Sequence, residues 1–169
     1  MRVLLELDPP RGVPPLLLGM TIDEARAAMR EWGEPEDVRG GMSPSLRVMG
    51  PGLCFDVFAH FEDDATVTAI EVWRPEGADT AVTWRGGDVF RTPIEQTLRR
   101  IQAFGITVDD SDAQGPCCPD LTLGFNMPDP PFIKAVLVAA PGYYTADPQL
   151  DETVNAYVDL LKNRNGGPS

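Results

Sequence analysis

Few residues in this chain have types and spacing suited to chemistry. His60 is the single histidine. It stands in a run, Leu53 to Phe61, where Leu53, Phe55, Val57, Ala59 and Phe61 alternate with Cys54, Asp56, Phe58 and His60. A period of two is that of a strand with one buried face, so the second set shares the other face. A histidine and a carboxylate on one face can serve as a base and its orienting partner. Cys54 is the one nucleophile on that face. This is the basis for a hydrolase reading centred on His60. Neighbours on one strand face lie along a line, however, and a line converges poorly on a reacting atom. A plain surface or edge-strand histidine satisfies the same pattern.

Two further segments invite a metal reading. In Asp109-Asp110-Ser111-Asp112-Ala113-Gln114-Gly115, the residues Asp110, Asp112 and Gly115 fall at the first, third and sixth positions of a calcium loop. The twelfth position is Leu121, where such a loop needs a bidentate glutamate, so an acidic loop is the simpler expectation. Cys117 and Cys118 are adjacent, which is not the spacing of a zinc pair. Pro116 and Pro119 flank them and hold the segment extended. No phosphate-cradling glycine loop, dinucleotide fingerprint or nucleophile elbow occurs. The sequence therefore assigns no catalytic residue, no metal and no cofactor.

The whole chain bounds what surrounds these residues. Its 169 residues, 43% of them hydrophobic, make a single domain with a proper core. Twenty-six acidic side chains against fourteen basic ones leave a formal charge of −12. Such a surface repels phosphate backbones and anionic lipid, so neither nucleic acid nor a membrane is an expected partner. A basic protein partner suits it, and so does plain solubility. The opening apolar run is too short, and too soon broken by Glu6, Asp8 and Pro9, for a signal peptide or a span. Three cysteines without a pairing framework agree with a cytoplasmic location.

The elements that must position these residues are set by punctuation and periodicity. Val3 to Leu7 reads as a strand and Asp8 to Pro15 as a connector. Thr21, with Glu24 three residues on, is a capping box for a helix from about Ile22 to Trp32, closed by Gly33 and Pro35. Glu34 to Ser45 reads as a loop and Leu46 to Met49 as a strand. The alternating run and Thr66 to Trp73 form an antiparallel hairpin. Ala81 to Arg85 is another short strand. Thr92-Pro93-Ile94-Glu95 is a second capping box for a helix closed by Gly105. Leu121 to Met127 alternates as a strand, and Phe132 to Ala140 is apolar enough for a strand buried on both sides. Asp147 caps a third helix at about 148–164, and the tail from Asn165 is expected to be disordered.

Together these elements predict an α+β fold: two tandem helix–hairpin halves, about 16–85 and 86–145, with helices on one face of an antiparallel sheet, plus the C-terminal helix. The Gly19-Met20-Thr21 start, with Glu24 and the Gly33-Glu34-Pro35 exit, resembles the repeated helix-plus-sheet unit of the β-lactamase inhibitor protein family and of small outer-membrane assembly lipoproteins. In the second half Phe90-Arg91 stands where Gly-Met would. The resemblance implies a protein-binding module rather than an enzyme, an immunity or inhibitor-type protein for a basic partner. A small-molecule or lipid-binding module using the sheet face is the alternative, and the His60 hydrolase a third. Trp32 and Trp73 occupy positions expected to face the core. Trp84, Arg85, Phe58, Tyr143 and Tyr144 are the residues expected to be exposed for binding, since aromatic and arginine anchors dominate interfaces.

Overall fold

A computed structural model describes residues 3–41, 43–50, 55–63, 65–77, 79–128 and 130–144. The expected C-terminal helix with its cap Asp147, the tail, and Cys54 lie outside the described residues.

The elements run β1 (Val3–Glu6), β2 (Gly12–Val13), β3 (Leu16–Leu17), α1 (Ile22–Met29), β4 (Glu36–Val38), β5 (Ser45–Met49), β6 (Asp56–His60), β7 (Ala69–Trp73), β8 (Thr80–Trp84), β9 (Gly87–Asp88), α2 (Ile94–Ala103), β10 (Cys117–Cys118), β11 (Leu123–Asn126) and β12 (Ala135–Ala139). They form sheets of seven, three and two strands. The large sheet is ordered β10-β11-β12-β7-β6-β5-β4, and every pairing in it is antiparallel. In the three-stranded sheet β1 lies parallel to β8, and β9 completes the far edge. No helix among the described residues is long and apolar enough to cross a membrane.

This architecture corrects the expected α+β tandem repeat. The protein is mainly β, with two helices of 8 and 10 residues among the described residues. Short strands occupy the segments read as connector and loop, and one sheet runs through both supposed halves. The two capping signatures also prove unlike. At α1 the box is complete: Thr21 Oγ1 accepts from the Glu24 N–H at 3.3 Å, and Thr21 N–H donates to Glu24 Oε2 at 2.8 Å. At α2 the capping position is Pro93 rather than Thr92, and no side chain caps the helix. The Ile94 N–H donates instead to the Pro131 carbonyl at 2.8 Å, so the chain leading into β12 satisfies that helix end. A signature four residues long describes a helix start and does not encode the sheet beyond it.

A pair of substitutions separates the two starts. Thr21→Ala is expected to cost about 1 kcal/mol, whereas Thr92→Ala stays within about 0.5 kcal/mol because no cap is lost. Chemical denaturation of both variants reads the difference directly. Equal losses would mean that Thr92 caps its helix in solution.

One face of the large sheet faces the core. The register sets Leu46, Ala59, Ile70, Val138 and Leu123 in one cross-strand row and Val48, Val57, Val72, Val136 and Phe125 in the next. All ten are buried, and Phe55 and Phe61 extend the same face of the expected β6 strand. Met29 and Ala25 from α1 and Ile94 and Ile101 from α2 are buried too, and Met29, Ile94 and Ile101 belong with the sheet residues to a single apolar cluster. Burial of this area is the main favourable contribution to folding. The opposite face of the sheet is what remains for function.

Candidate functional site

The outer face is fixed by the same register. Its central row crosses all seven strands: Glu36, Arg47, Phe58, Glu71, Leu137, Gly124 and Cys117. Ser45, His60, Ala69 and Ala139 form the row on one side, and Met49, Asp56, Trp73, Ala135 and Asn126 the row on the other. Diagonal neighbours on such a face are within reach of long side chains. Arg47 uses this to grip Asp56 with two bonds, Nε to Oδ1 at 2.8 Å and Nη2 to Oδ2 at 2.6 Å. Its guanidinium carbon also lies 5.4 Å from the Phe58 ring centroid. The Asp56 hydrogen bond is the main cause of the raised Arg47 pKa.

Asp56 therefore serves Arg47, and it is not the partner of His60. His60 sits between two residues from neighbouring strands. Its Nδ1 is 3.0 Å from Ser45 Oγ and its Nε2 3.0 Å from Glu71 Oε2, while its ring stacks on Phe58 at 6.0 Å. Serine, imidazole and carboxylate in a chain can relay a proton. What the chain lacks is a donor pair for an oxyanion. Ser45 is on β5, which is paired on both sides, so the Leu46 N–H lies in the sheet plane, and Pro44 before it carries no N–H. The chain's evident work is to fix the Glu71 carboxylate in place. Ser45 and Glu71 do not stand out in the sequence; only the strand register reveals them.

Beside this chain the face hollows into a cleft of about 310 Å³. Its floor is Leu137 and Gly124 from the central row, with Glu71 and His60 at one end. The segment Asp112 to Cys117 forms one wall and Tyr143 and Tyr144 another. That segment is seated on β11 by two backbone bonds: Phe125 N–H to Pro116 O at 2.9 Å and Met127 N–H to Gln114 O at 3.1 Å. The two tyrosine rings meet edge to face at 5.2 Å. Tyr143 keeps 42% of its surface exposed. Its phenol is nonetheless pushed up to about 12, first by the protein around the hydroxyl and then by the Glu62 carboxylate, which accepts its hydrogen bond at 3.2 Å. Burial raises the Tyr144 phenol as well.

Glu62 owes its position to the turn after β6. Asp63 closes that turn by accepting from the Ala65 and Thr66 N–H groups at 2.9 and 2.7 Å and from the Thr66 hydroxyl at 2.6 Å. These bonds, the hydroxyl's first, hold its carboxyl down at about 2. Because the folded value is depressed, the turn's contribution is present above the ordinary carboxylate range and is lost as the pH falls toward 2. Carbon-detected NMR is expected to show Asp63 titrating near 2. An ordinary carboxylate midpoint would show the turn to be open.

The other expected site residues divide. Phe58, Tyr143 and Tyr144 lie on or beside the outer face. Trp84 and Arg85 lie elsewhere, on the three-stranded sheet, and Trp84 is only 4% exposed, packed edge to face on Phe104 at 5.4 Å. Arg85 is exposed and covers both rings. Trp32 is buried against Phe55 as expected, while Trp73 is half-buried on the outer face with Lys134 over its ring. Cys117 and Cys118 are free thiols, and desolvation raises both, Cys118 to about 12. A protonated thiol is a poor nucleophile and a poor metal ligand. Asp109 and Asp112 turn their carboxylates back onto Ser111 and Gln114 of their own loop. Among the described residues no group of His, Cys, Asp and Glu is placed to hold a metal ion.

No protein-family model matches the chain, and the searches of curated proteins and of solved structures found no match.

Proposed function

We propose that this chain is a small-ligand-binding module whose site is the cleft on the outer face of its seven-stranded sheet. One observation carries the reading: a concavity of about 310 Å³, the scale of ligand sites, lies on the sheet face turned away from the core. Its floor is apolar at Leu137, and polar groups converge from two sides, with Glu71 and His60 on one and Asp112 and Gln114 on the other. A few fixed polar groups around an apolar floor give orientation and specificity. The floor and walls come from strands distant in sequence, so the site exists only in the folded chain.

The free thiols at Cys117 and Cys118 suit a protein of the cytoplasm. The rival reading, a module docking a basic protein through Trp84, Arg85, Phe58, Tyr143 and Tyr144, has less support. The tandem architecture it leaned on is absent, and Trp84 is buried. The test is a fragment screen with amide chemical shifts as the readout. Binders are expected to move the Gly124, Leu137 and Tyr144 amides. A screen whose hits all map to other surfaces, or that yields none, overturns the reading.

A further inference from the structure

We infer that the ligand of this cleft carries a positively charged nitrogen group, an alkylguanidinium or alkylammonium; the inference rests on the ligand-binding reading above. Among the described residues the cleft is lined by three carboxylates, Glu62, Glu71 and Asp112, and by no lysine or arginine. Each carboxylate has one oxygen committed to the protein. Glu71 Oε2 meets His60, Glu62 Oε1 accepts from the Tyr143 hydroxyl, and Asp112 Oδ1 accepts from the Gln114 N–H. Glu71 Oε1, Glu62 Oε2 and Asp112 Oδ2 accept no hydrogen bond from the described residues.

The carboxylates alone would not define a site. What gives them one is the cleft between them and the wall of two aromatic rings. An aromatic face attracts a cation within about 6 Å of its centroid. Tyr143 and Tyr144 are crossed at 68°, so their two faces point in different directions along the same wall. Elsewhere the protein already uses this chemistry on itself: Arg47 over Phe58, Arg74 over Phe132, Arg85 over Trp84 and Phe104, and Lys134 over Trp73. Tyr143 and Tyr144 have no such cation among the described residues. A guanidinium has five donors in a fixed plane and matches spare carboxylate oxygens better than any neutral group. An anion would face three like charges.

The same chemistry can reach the cleft as a free amine or as the arginine side chain of a peptide. The experiment uses the full chain labelled with ¹⁵N and tracks amide shifts at Gly124, Leu137 and Tyr144. The probes are butylguanidinium, butanol, butyrate and an arginine-bearing hexapeptide. Butylguanidinium is expected to saturate these shifts and to weaken with added sodium chloride. Butanol and butyrate are expected to leave them unmoved. The double variant Glu62→Gln, Asp112→Asn is expected to bind butylguanidinium at least about tenfold more weakly, since a hydrogen bond to a charged partner is worth that factor or more. The salt dependence of the unmodified protein supplies the same evidence if that variant misfolds. A hexapeptide much tighter than butylguanidinium identifies a basic chain as the source, and equal affinity a free amine. If butanol or butyrate moves the three amides as well as butylguanidinium does, the charge inference falls while the cleft remains a binding site. If no fragment of any charge moves them, the binding reading falls with it.

Discussion

Gly115→Ala is expected to destabilise the protein by about 3 kcal/mol, combining backbone strain with overpacking. For a chain of this size the melting temperature should fall by roughly 6–12 °C. Gly115 has φ +141°, a conformation that residues with a Cβ rarely adopt. A Cβ there would also be driven into the carbonyl oxygen of Phe125, with the Phe125 carbonyl carbon and the Met127 nitrogen close behind. Those atoms belong to the backbone of β11 and the residue after it, so no side chain can swing aside to make room. The clash also falls between the two bonds, Gln114 O to Met127 N–H and Pro116 O to Phe125 N–H, that seat the cleft wall on the sheet. Differential scanning calorimetry measures the loss, and hydrogen exchange at Phe125 and Met127 is expected to quicken with it. A variant melting like the unmodified chain would show that this wall does not lie against β11 in solution.

That wall also marks where the sequence can be read and where it cannot. The β6–β7 hairpin is legible because unbroken alternation from Leu53 to Phe61 leaves no other secondary structure. The apolar run at β12 and the capping box at α1 are legible for equally local reasons. β4 is not, because Glu36, Asp37 and Val38 are all exposed and carry no alternation; only their pairing with β5 makes them a strand. β10 is two cysteines long, and its strand character comes from Gly124 and Leu123 opposite. The tandem repeat fails for a related reason. Two similar helix starts do not imply two similar sheets, because strand order is decided by long-range register, which capping residues do not encode. Register likewise hides the site. Phe58, His60 and the two tyrosines stand out by type, but Glu71, Ser45 and Gly124 come together only when five strands align. Trp84 is misleading because a tryptophan before a double glycine looks like a loop residue, whereas the edge-to-face contact with Phe104 encloses it.

Gly124→Ala is expected to leave the fold intact and to remove most of the cleft's affinity for butylguanidinium. Gly124 lies mid-strand on the central row of the outer face, opposite Leu137 and Cys117. A Cβ there would occupy the position of the Tyr144 hydroxyl. Unlike the obstacle at Gly115, this one is the far end of a rotatable side chain. The ring can leave at a cost of about 1 kcal/mol or less, while alanine itself is tolerated in a strand. Once the ring has moved, the Tyr144 part of the wall facing the three carboxylates is lost. A cation held partly by an aromatic face forfeits about 1–2 kcal/mol, which is roughly five- to thirtyfold in affinity. Tyr144→Phe keeps the ring and is expected to bind almost as the unmodified protein does, which separates the ring from its hydroxyl. The decisive pairing is the melting temperature with the butylguanidinium affinity of the same sample. Gly124→Ala with unchanged melting and undiminished affinity would show that the cation is held without Tyr144, and would move the aromatic contribution to Tyr143 alone.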